Sequence, residues 1–364
     1  MKQKKRRRDG NEAELRLVIS LDVSAEALGA GDGYLYVSDG AKKKKKKSRP
    51  NGNTVFTLSM CDADEDECVC EIAAKRETAE WERLSQSDYF RYTDAAAANL
   101  LAEVREKPGF DLFPHIEEIT VETPLTTALR DGNAGTMLER AARLFPERQT
   151  MRIKAIRNEK DVTLYELRKA DGYVAAPFRA GQTVRVFRSD GADFRAALCG
   201  SPAMTKEGRY TVALAADRDP LSGSREGDSI DLSGPQGIFF HSPLRDHRTV
   251  IGLTDETGLP SFLSMAYALR DHLENFKLTV LLFDSGDGIA PLCEEWEAVC
   301  ADCGKVRLFR LPGMEGVSLE AIKERLPHEA YSVFICGAQA FCDKAQSAIL
   351  PLGLPRKSVR CEQR

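Results

Sequence analysis

Three cysteines and a group of carboxylates lie close together at residues 61 to 70. Cys61, Cys68 and Cys70 are separated by the acidic run Asp62-Ala-Asp-Glu-Asp-Glu67. Thiolates and carboxylates can ligate a metal, but a structural zinc site generally needs four ligands, and no histidine lies nearby in sequence. The pattern therefore favours an acidic hairpin loop, and we predict no metal site.

A second pair of cysteines, Cys300 and Cys303, has the Cys-x-x-Cys spacing of a redox dithiol. The alternative, which we favour, is that both are small apolar residues at a helix end. The ten cysteines are scattered over a long chain, which is typical of reduced thiols rather than of a secreted disulfide framework. The five histidines form no spaced pair, and the cysteines show no iron-sulfur spacing.

Length and hydropathy indicate a modular protein. A chain of 364 residues that is 42 % hydrophobic can form two or three domains, each with its own core. No stretch approaches the roughly 20 consecutive apolar residues of a membrane span. The basic start, Lys4 to Arg8, is not followed by the apolar core of a signal peptide. We therefore predict a cytoplasmic protein.

The charge is distributed unevenly. Residues 1–50 contain 14 Lys and Arg against 7 Asp and Glu, although the whole chain has a net charge of −4. The runs Lys4 to Arg8 and Lys42 to Lys47 could bind nucleic acid or an acidic partner. A solvated tail and a loop tip are the interpretation we favour. The acidic remainder argues against nucleic acid as the main partner.

The N-terminal part is predicted to be a basic tail (1–14) followed by a small α+β domain (15–147) of unknown role. Apolar alternation predicts strands, and helical composition, with Thr93-Asp94 as a capping signal for the second helix, predicts helices. The strands are Leu15 to Leu21, Gly33 to Val37 and Asn53 to Met60, the last two forming a hairpin; the helices are Ala73 to Leu84, Asp94 to Glu106 and Asn133 to Leu144.

Residues 148–245 change to closely spaced short strands separated by Gly and Pro turns. This pattern predicts a small antiparallel β-barrel. The strands are Met151 to Ile156, Val162 to Leu167, Gln182 to Phe187, Tyr210 to Leu214 and Ser229 to Leu232.

Residues 246–364 alternate apolar strands with helical patterns, which predicts a doubly wound, mostly parallel sheet with helices on both faces. The fold class is thus an α/β multidomain protein. The strands are Thr249 to Thr254, Leu278 to Phe283, Lys305 to Leu311 and Tyr331 to Gly337; the helices are Leu259 to Glu274, Leu292 to Ala301, Leu319 to Leu326 and Phe341 to Leu350.

Four short sequence strings occur within these two predicted domains. The turn Phe178-Arg-Ala-Gly-Gln182, the segment Gly234-Pro-Gln-Gly-Ile-Phe239, the helix start Phe262-Leu-Ser-Met-Ala266 and the strand end Phe334-Ile-Cys-Gly337 occur in order. In these strings, and in the succession of barrel and nucleotide domain, residues 151–364 resemble the ferredoxin-NADP reductase superfamily.

The resemblance implies an FAD-binding barrel and an NAD(P)-binding domain that pass electrons from NAD(P)H through flavin to a redox protein partner. It implies flavin contacts at Arg195 and Ser201, with Arg195 on the pyrophosphate. It implies dinucleotide contacts at Gly258 and Gly337. Two further residues, Cys336 and Glu362, would line the hydride-transfer site as catalytic residues.

Three motifs depart from the family. Ala197 and Leu198 replace the ring that stacks on the flavin and the hydroxyl beside it. The connection Asp217 to Glu226 is too short for the helix whose amides bind the flavin pyrophosphate. In the glycine-rich turn of the nucleotide domain, Asp255 and Glu256 place two carboxylates where phosphates approach.

Two hypotheses follow from these observations. The first is a flavin oxidoreductase of the family type, with FAD and NAD(P)H as cofactors. The second is a non-catalytic descendant with degenerate motifs, in which the scaffold is a binding or assembly module. Because the three altered motifs contact separate parts of two ligands, we expect weak or no binding of either cofactor.

Replacing Lys42 to Lys47 with a Gly-Ser linker should leave the melting temperature nearly unchanged, because exposed loop tips tolerate such changes. Thermal unfolding of the two proteins measures this. A large fall in melting temperature would show that the lysine run is packed against the domain.

Overall fold

The computed structural model describes residues 12–21, 55–57, 68–77, 89–105, 116–132, 135–159, 161–187, 193–284, 286 and 290–364. The chain divides into two compact units, Met1–Ala142 and Arg143–Arg364. Within the described ranges, no helix is long and apolar enough to cross a membrane. The predicted hairpin strand at 33–37, the lysine run at 42–47 and Cys61 lie outside the described residues.

The N-terminal unit contains a four-stranded antiparallel sheet in the order β2-β3-β1-β4. Its second helix begins at a capping box, because Thr126 N donates to Thr123 Oγ1 at 3.3 Å and Thr123 N donates to Thr126 Oγ1 at 2.7 Å. The elements are β1 (Glu12–Leu21), β2 (Val55–Thr57), β3 (Cys68–Glu77), α1 (Tyr89–Arg105), β4 (Ile116–Glu122), α2 (Pro124–Asp131) and α3 (Thr136–Leu144).

The predicted helix Ala73 to Leu84 is wrong over residues 73–77, the part of it that the structure describes. Those residues belong to β3. That strand pairs with β1 over ten residues, with Ile72 opposite Leu17, so sheet pairing outweighs a helical composition. Helix α1 begins at Tyr89, ahead of the predicted cap, and Thr93 Oγ1 donates to Phe90 O at 2.9 Å inside the helix. Strand β4 and helix α2 were not predicted.

The predicted antiparallel barrel is confirmed, and it is closed, with the order β10-β5-β6-β9-β8-β7. Five of its six strands were predicted. The exception is β8, because its sequence Asp-Phe-Arg-Ala-Ala-Leu lacks β-branched residues. The turn that precedes β7 requires a glycine at position 181. Gly181 has φ 101°, and a Cβ there would lie 2.1 Å from Phe239 O. The strands are β5 (Gln149–Asn158), β6 (Val162–Lys169), β7 (Thr183–Phe187), β8 (Asp193–Leu198), β9 (Arg209–Ala215) and β10 (Ser229–Leu232).

The predicted parallel sheet is also confirmed, with five strands in the order β13-β12-β11-β14-β15. The edge strand β15 was not predicted. The elements are β11 (Thr249–Thr254), α4 (Leu259–Arg270), β12 (Lys277–Asp284), α5 (Ala290–Asp302), β13 (Val306–Pro312), α6 (Leu319–Lys323), β14 (Ser332–Gly337), α7 (Gln339–Ile349) and β15 (Val359–Gln363).

Two apolar clusters show that helices cover both faces of this sheet. One cluster joins alternate strand residues to α4 and α5, and it extends to the outer face of the barrel through Val162, Ala197 and Ala213. The other joins the opposite strand residues to α6 and α7. Helix α4 is therefore buried on almost all sides, between the sheet and the barrel.

Replacing Phe262 with Ala should lower the free energy of unfolding by about 3–5 kcal/mol, because this fully buried ring packs edge-on against Phe239 and leaves a cavity when removed. Leu350→Ala, at a side chain that is 79 % exposed, should change it by less than about 0.5 kcal/mol. Urea unfolding measures both. Similar losses in the two variants would contradict this assignment of the core.

Candidate functional site

The turn after β11 is closed by the side chain of Asp255. Its Oδ1 accepts hydrogen bonds from Thr257 N at 3.0 Å, Gly258 N at 3.1 Å and Thr257 Oγ1 at 2.7 Å. Its Oδ2 accepts from Ala338 N at 2.8 Å, at the start of α7. One carboxylate thus binds the backbone donors of two turns, one after β11 and one after β14.

This position is where the strand order of the sheet reverses, because β11 lies between β12 and β14. In open α/β sheets, ligands bind outside the carboxyl ends of the strands at such a switch point. Amides at helix starts are favourable partners for anions. In this protein the anion at the switch point is the chain's own carboxylate.

Gly258 and Gly337, the two predicted dinucleotide contacts, lie in this same closed turn. A Cβ at Gly258 would lie 2.1 Å from Cys336 O, and a Cβ at Gly337 would lie 2.5 Å from Asp255 Oδ1. Both glycines therefore allow two segments of the chain to approach each other closely. Thr254 Oγ1 strengthens the contact by donating to Cys336 O at 2.8 Å.

The Asp255 side chain is largely removed from water, with 8 % of the residue exposed. Burial raises the pKa of its carboxyl group, and the hydrogen bonds from Thr257, Ala338 and Gly258 act in the opposite direction. Four donors bind the carboxylate, three at Oδ1 and one at Oδ2, so both of its oxygens have hydrogen-bond partners.

The two predicted catalytic residues, Cys336 and Glu362, belong to one hydrogen-bonded network. Cys336 Sγ donates to Ser261 Oγ at 3.7 Å, and Arg364 Nη2 donates to the same Ser261 oxygen at 2.7 Å. Arg364 Nη1 donates to Glu362 Oε1 at 2.5 Å. The structure therefore brings them together through Ser261 and the terminal arginine.

Cys336 is completely buried behind this network. Burial raises the pKa of its thiol to about 11, so the thiol is protonated at neutral pH. Arg364 is itself held in place, because its backbone N donates to Gly337 O at 2.9 Å and its side chain is 7 % exposed. The arginine side chain lies between Cys336 and the cleft described next.

A cleft of about 290 Å³ lies between the barrel and the parallel sheet. Arg195 lies on its wall with 59 % of its side chain exposed, and Arg195 Nη1 lies 3.6 Å from Glu362 Oε1. Ala197, 3 % exposed, forms part of the floor. The lining residues are Val162, Phe194, Arg195, Ala197, Ala213, Leu214, Ala215, Arg218, Thr257, Gln363 and Arg364.

Ser201, the other predicted flavin contact, lies at a different place. Its Oγ caps a short 3₁₀ helix by accepting from Ala203 N at 3.2 Å, and it donates to Asp271 Oδ2. Ser201 lines a separate cavity of about 380 Å³, which shares no lining residue with the cleft. The structure therefore groups Arg195, Gly258, Gly337, Cys336 and Glu362, but not Ser201.

The connection between β9 and β10 contains a three-residue 3₁₀ turn, Ala216–Arg218, and no α-helix. Asp219 fixes the loop, because its Oδ2 accepts from Tyr165 Oη at 2.6 Å and its Oδ1 accepts from Leu221 N at 2.8 Å. This stretch therefore offers no helix start to a pyrophosphate.

Three residues of the site were not predicted: Ser261, Arg364 and Thr257. Ser261 lies one position before the recognisable Phe262 string, and Arg364 lies two positions after Glu362. Ser261 is thus adjacent to a recognised string, and Arg364 is two positions from a predicted site residue. Their roles depend on a contact across the sheet, which sequence spacing does not reveal.

No family model matches the sequence, and no curated protein matches it. Solved structures do match. The flavohem-like FAD/NAD binding domain of nitric oxide dioxygenase from Vibrio cholerae O1 biovar El Tor is 17 % identical over 59 % of this chain and 98 % of that one, with a TM-score of 0.50. The cytochrome b5 reductase domain of Ulva prolifera nitrate reductase is 14 % identical over 60 % of this chain and 99 % of that one, with a TM-score of 0.50.

The C-terminal unit has the ferredoxin-NADP reductase fold. This confirms the fold that the sequence strings implied, a barrel followed by a doubly wound sheet. At these identities the similarity concerns the fold, and a fold does not determine which cofactors bind.

FAD in the binding mode of the ferredoxin-NADP reductase fold does not fit the residues present. The stacking ring is replaced by Ala197, and the β9–β10 connection has no pyrophosphate helix. The resemblance implies two flavin contacts, Arg195 and Ser201. Arg195 lines the cleft, whereas Ser201 caps a 3₁₀ helix outside it.

NAD(P)H does not fit either, for a different reason. The amides of Thr257, Gly258 and Ala338 already donate to the Asp255 carboxylate. A phosphate at the same amides would have to displace a buried anion or lie next to it. Two like charges about 4 Å apart repel by about 4 kcal/mol at a surface-like dielectric.

Asp255→Ala should lower the free energy of unfolding by about 2–3 kcal/mol, because it removes the acceptor from backbone amides at two turns. Glu256→Ala removes the same charge from the same turn but leaves the Asp255 hydrogen bonds in place, so its effect should be clearly smaller. Urea unfolding of both variants makes the comparison. Equal effects would mean that charge, rather than the hydrogen bonds, determines the stability of the turn.

Proposed function

We propose that this protein is a non-catalytic member with the ferredoxin-NADP reductase fold, in which the scaffold is a binding or assembly module that does not use NAD(P)H. The observation that carries the proposal is the Asp255 carboxylate on the amides of both turns at the switch point. Those amides are the donors that a dinucleotide phosphate needs.

The Asp255 carboxylate and a nucleotide phosphate are two anions that would accept hydrogen bonds from the same backbone amides. The carboxylate is covalently part of the turn, so its binding costs no translational or rotational freedom, whereas a free dinucleotide loses that freedom on binding. Displacing the carboxylate would also require it to find new partners, because a buried charge without partners is costly. Asp255 therefore acts as a built-in competitor of the nucleotide.

The cleft in which the resemblance places the flavin supports the same conclusion. A cleft of about 290 Å³ is at the lower limit of ligand pockets, which span about 300–1,000 Å³. Its chemistry is cationic over an alanine floor, with Arg195 and Arg218 exposed by 59 % and 64 %. This arrangement suits a small anion better than a large flavin dinucleotide.

A second candidate function is the flavin oxidoreductase that the resemblance implies, passing electrons from NAD(P)H to a redox protein partner. The observation that favours it is that two arginines of the cleft wall contact the network of Glu362 and Ser261: Arg195 Nη1 lies 3.6 Å from Glu362 Oε1, and Arg364 donates to Ser261 Oγ. In this case Arg195 would hold the flavin pyrophosphate. The two candidates differ in whether purified protein carries flavin.

The test begins with the visible spectrum of the purified full chain, followed by calorimetric titration with FAD and with NADPH. We expect a colourless protein and no binding of either ligand at micromolar concentrations. A yellow protein, or micromolar binding of FAD, would favour the oxidoreductase and overturn the proposal.

The double variant Asp255→Gly/Glu256→Gly should gain measurable NADPH binding, because the amides of Thr257, Gly258 and Ala338 become available. Glu256→Gly alone is the matched control, since it removes a nearby charge but leaves the amides occupied. The same calorimetric titration compares them. If the control gains as much as the double variant, repulsion rather than occupied donors excludes the nucleotide.

A further inference from the structure

Three arginines form a row across the outer face of the barrel. Arg168 of β6 lies directly opposite Arg152 of β5 on one side and directly opposite Arg209 of β9 on the other. Residues that face each other in antiparallel strands lie on the same face of the sheet, and neighbouring strands are about 4.8 Å apart. The register of the barrel therefore places three positive charges close together.

This arginine row is only partly neutralised by the chain itself. Arg209 Nη1 donates to Glu207 Oε2 at 3.1 Å. Within the part of the chain that the structure describes, Arg152 and Arg168 form no ion pair. Like charges directly opposite each other destabilise a pair of strands. The row therefore costs stability in the isolated chain, and an anionic partner would remove that cost.

The arginine row borders a groove of about 790 Å³ on the surface of the barrel, and two exposed lysines add to the positive charge there. Lys154 lies where the register between β5 and β6 shifts, so a bulge leaves it without a cross-strand partner. Lys206 lies near the end of the 3₁₀ helix Pro202–Glu207. Neither lysine forms an ion pair with a described residue.

An exposed apolar pair lines the same groove. Tyr173 is 73 % exposed and Val174 is 42 % exposed. Among the large apolar side chains that are exposed in the described ranges, these are the only two that are adjacent in sequence. Tyrosine and arginine are enriched among the residues that carry most of the binding energy of protein interfaces. The groove combines both residue types.

The backbone around Tyr173 is fixed by contacts on both sides. Tyr173 N donates to Asp171 Oδ1 at 3.0 Å, and Ala175 N donates to Thr205 O at 2.9 Å. Gly208 approaches so closely that a Cβ there would lie 2.3 Å from Tyr173 O. A tyrosine ring has two side-chain torsions, so on a fixed backbone it loses little conformational entropy on binding.

We propose that this groove binds an acidic segment of a partner protein. The carboxylates of that segment pair with the arginine row, whose guanidinium groups can bind a carboxylate through two parallel hydrogen bonds. An apolar side chain of the segment packs against Tyr173 and Val174.

The groove lies away from the cleft, at the opposite ends of β6 and β9. It contains residues 166–168 and Arg209, whereas the cleft contains Val162 and residues 213–215. At about 3.4 Å per residue, these strands separate the two sites by about 15–20 Å. The inference therefore does not depend on whether the cleft binds a cofactor.

Two carboxylates of the groove favour an acidic peptide over a nucleic acid. Glu166 and Glu207 line the groove together with the cations. A nucleic acid carries a phosphate at every nucleotide, so some of its phosphates would lie beside these carboxylates. A peptide can present an amide or a hydroxyl at those positions. Val174 supplies an aliphatic contact, whereas bases stack on aromatic faces.

The test uses the full chain and fluorescence polarisation of three labelled probes at about 50 mM salt. The acidic probe is the hexapeptide Glu-Asp-Glu-Phe-Glu-Asp, and the neutral probe has Gln and Asn in place of its acidic residues. The third probe is a six-nucleotide oligothymidine. We expect the acidic peptide to bind at least about tenfold more tightly than either of the others.

Charge variants locate the binding site, because the basic runs Lys4 to Arg8 and Lys42 to Lys47 could also attract an acidic probe. Arg168→Glu/Lys206→Glu should weaken binding of the acidic peptide by at least about tenfold, and by less at about 300 mM salt, where charges are screened. Arg307→Glu/Lys323→Glu is the matched control. It makes the same charge change at exposed residues outside the groove and should weaken binding by less than about threefold.

Variants of Tyr173 test the apolar contact. Tyr173→Ala should weaken binding by at least about fivefold, whereas Tyr173→Phe keeps the ring and should bind within about twofold of the unmodified chain. Leu350→Ala removes an exposed apolar side chain outside the groove and should have no effect. Thermal unfolding of every variant checks that it is folded.

The proposal is overturned if the acidic peptide does not bind at concentrations up to about 1 mM, or if oligothymidine binds more tightly and depends on the same residues. It is also overturned if the control charge variant weakens binding as much as Arg168→Glu/Lys206→Glu, or if Tyr173→Ala binds like the unmodified chain. The titrations with FAD and NADPH test the proposed function separately.

Discussion

The hydrogen bonds of the Asp255 carboxylate are the interaction on which the site depends. They join the turn after β11, the start of α4 and the start of α7. Ser261 lies in the first turn of α4, so its position follows from this junction, and the Cys336 thiol and the Arg364 side chain both contact Ser261. The C-terminal residues are therefore ordered by a carboxylate to which they do not bind directly.

The barrel contributes the second constraint. Its outer face presents small residues, Ala197 and Ala213, to the cluster that also contains α4. Ser264 of α4 donates to Gly200 O at 2.9 Å, which connects the helix to the barrel by a buried hydrogen bond. Close packing of this kind transmits any change of volume, since protein interiors have few voids. Ala197, which replaces the flavin-stacking ring, is thus part of the contact between the barrel and α4.

The sequence predicted most of the C-terminal unit because hydrophobic alternation and length are local properties. It did not reveal β8, whose Ala-rich segment forms a strand through pairing with β7 and β9, and it placed a helix over part of β3, where pairing with β1 decides the structure. Of the predicted site residues, Cys336 and Glu362 were brought together by sheet register, whereas Ser201 was not, because capping its own 3₁₀ helix fixes it elsewhere. The role of Asp255 as acceptor for Ala338, 83 residues later, required the three-dimensional fold.

The internal carboxylate also has a thermodynamic consequence. A protein whose turn is completed by a free nucleotide gains stability in proportion to the logarithm of the ligand concentration, so its folded fraction varies with the supply of that ligand. Asp255 is part of the chain, so it occupies the amides of the turn in every folded molecule, whatever the ligand concentration. Under the proposed function, the folded population of this chain is therefore uncoupled from the concentration of free nucleotide around it.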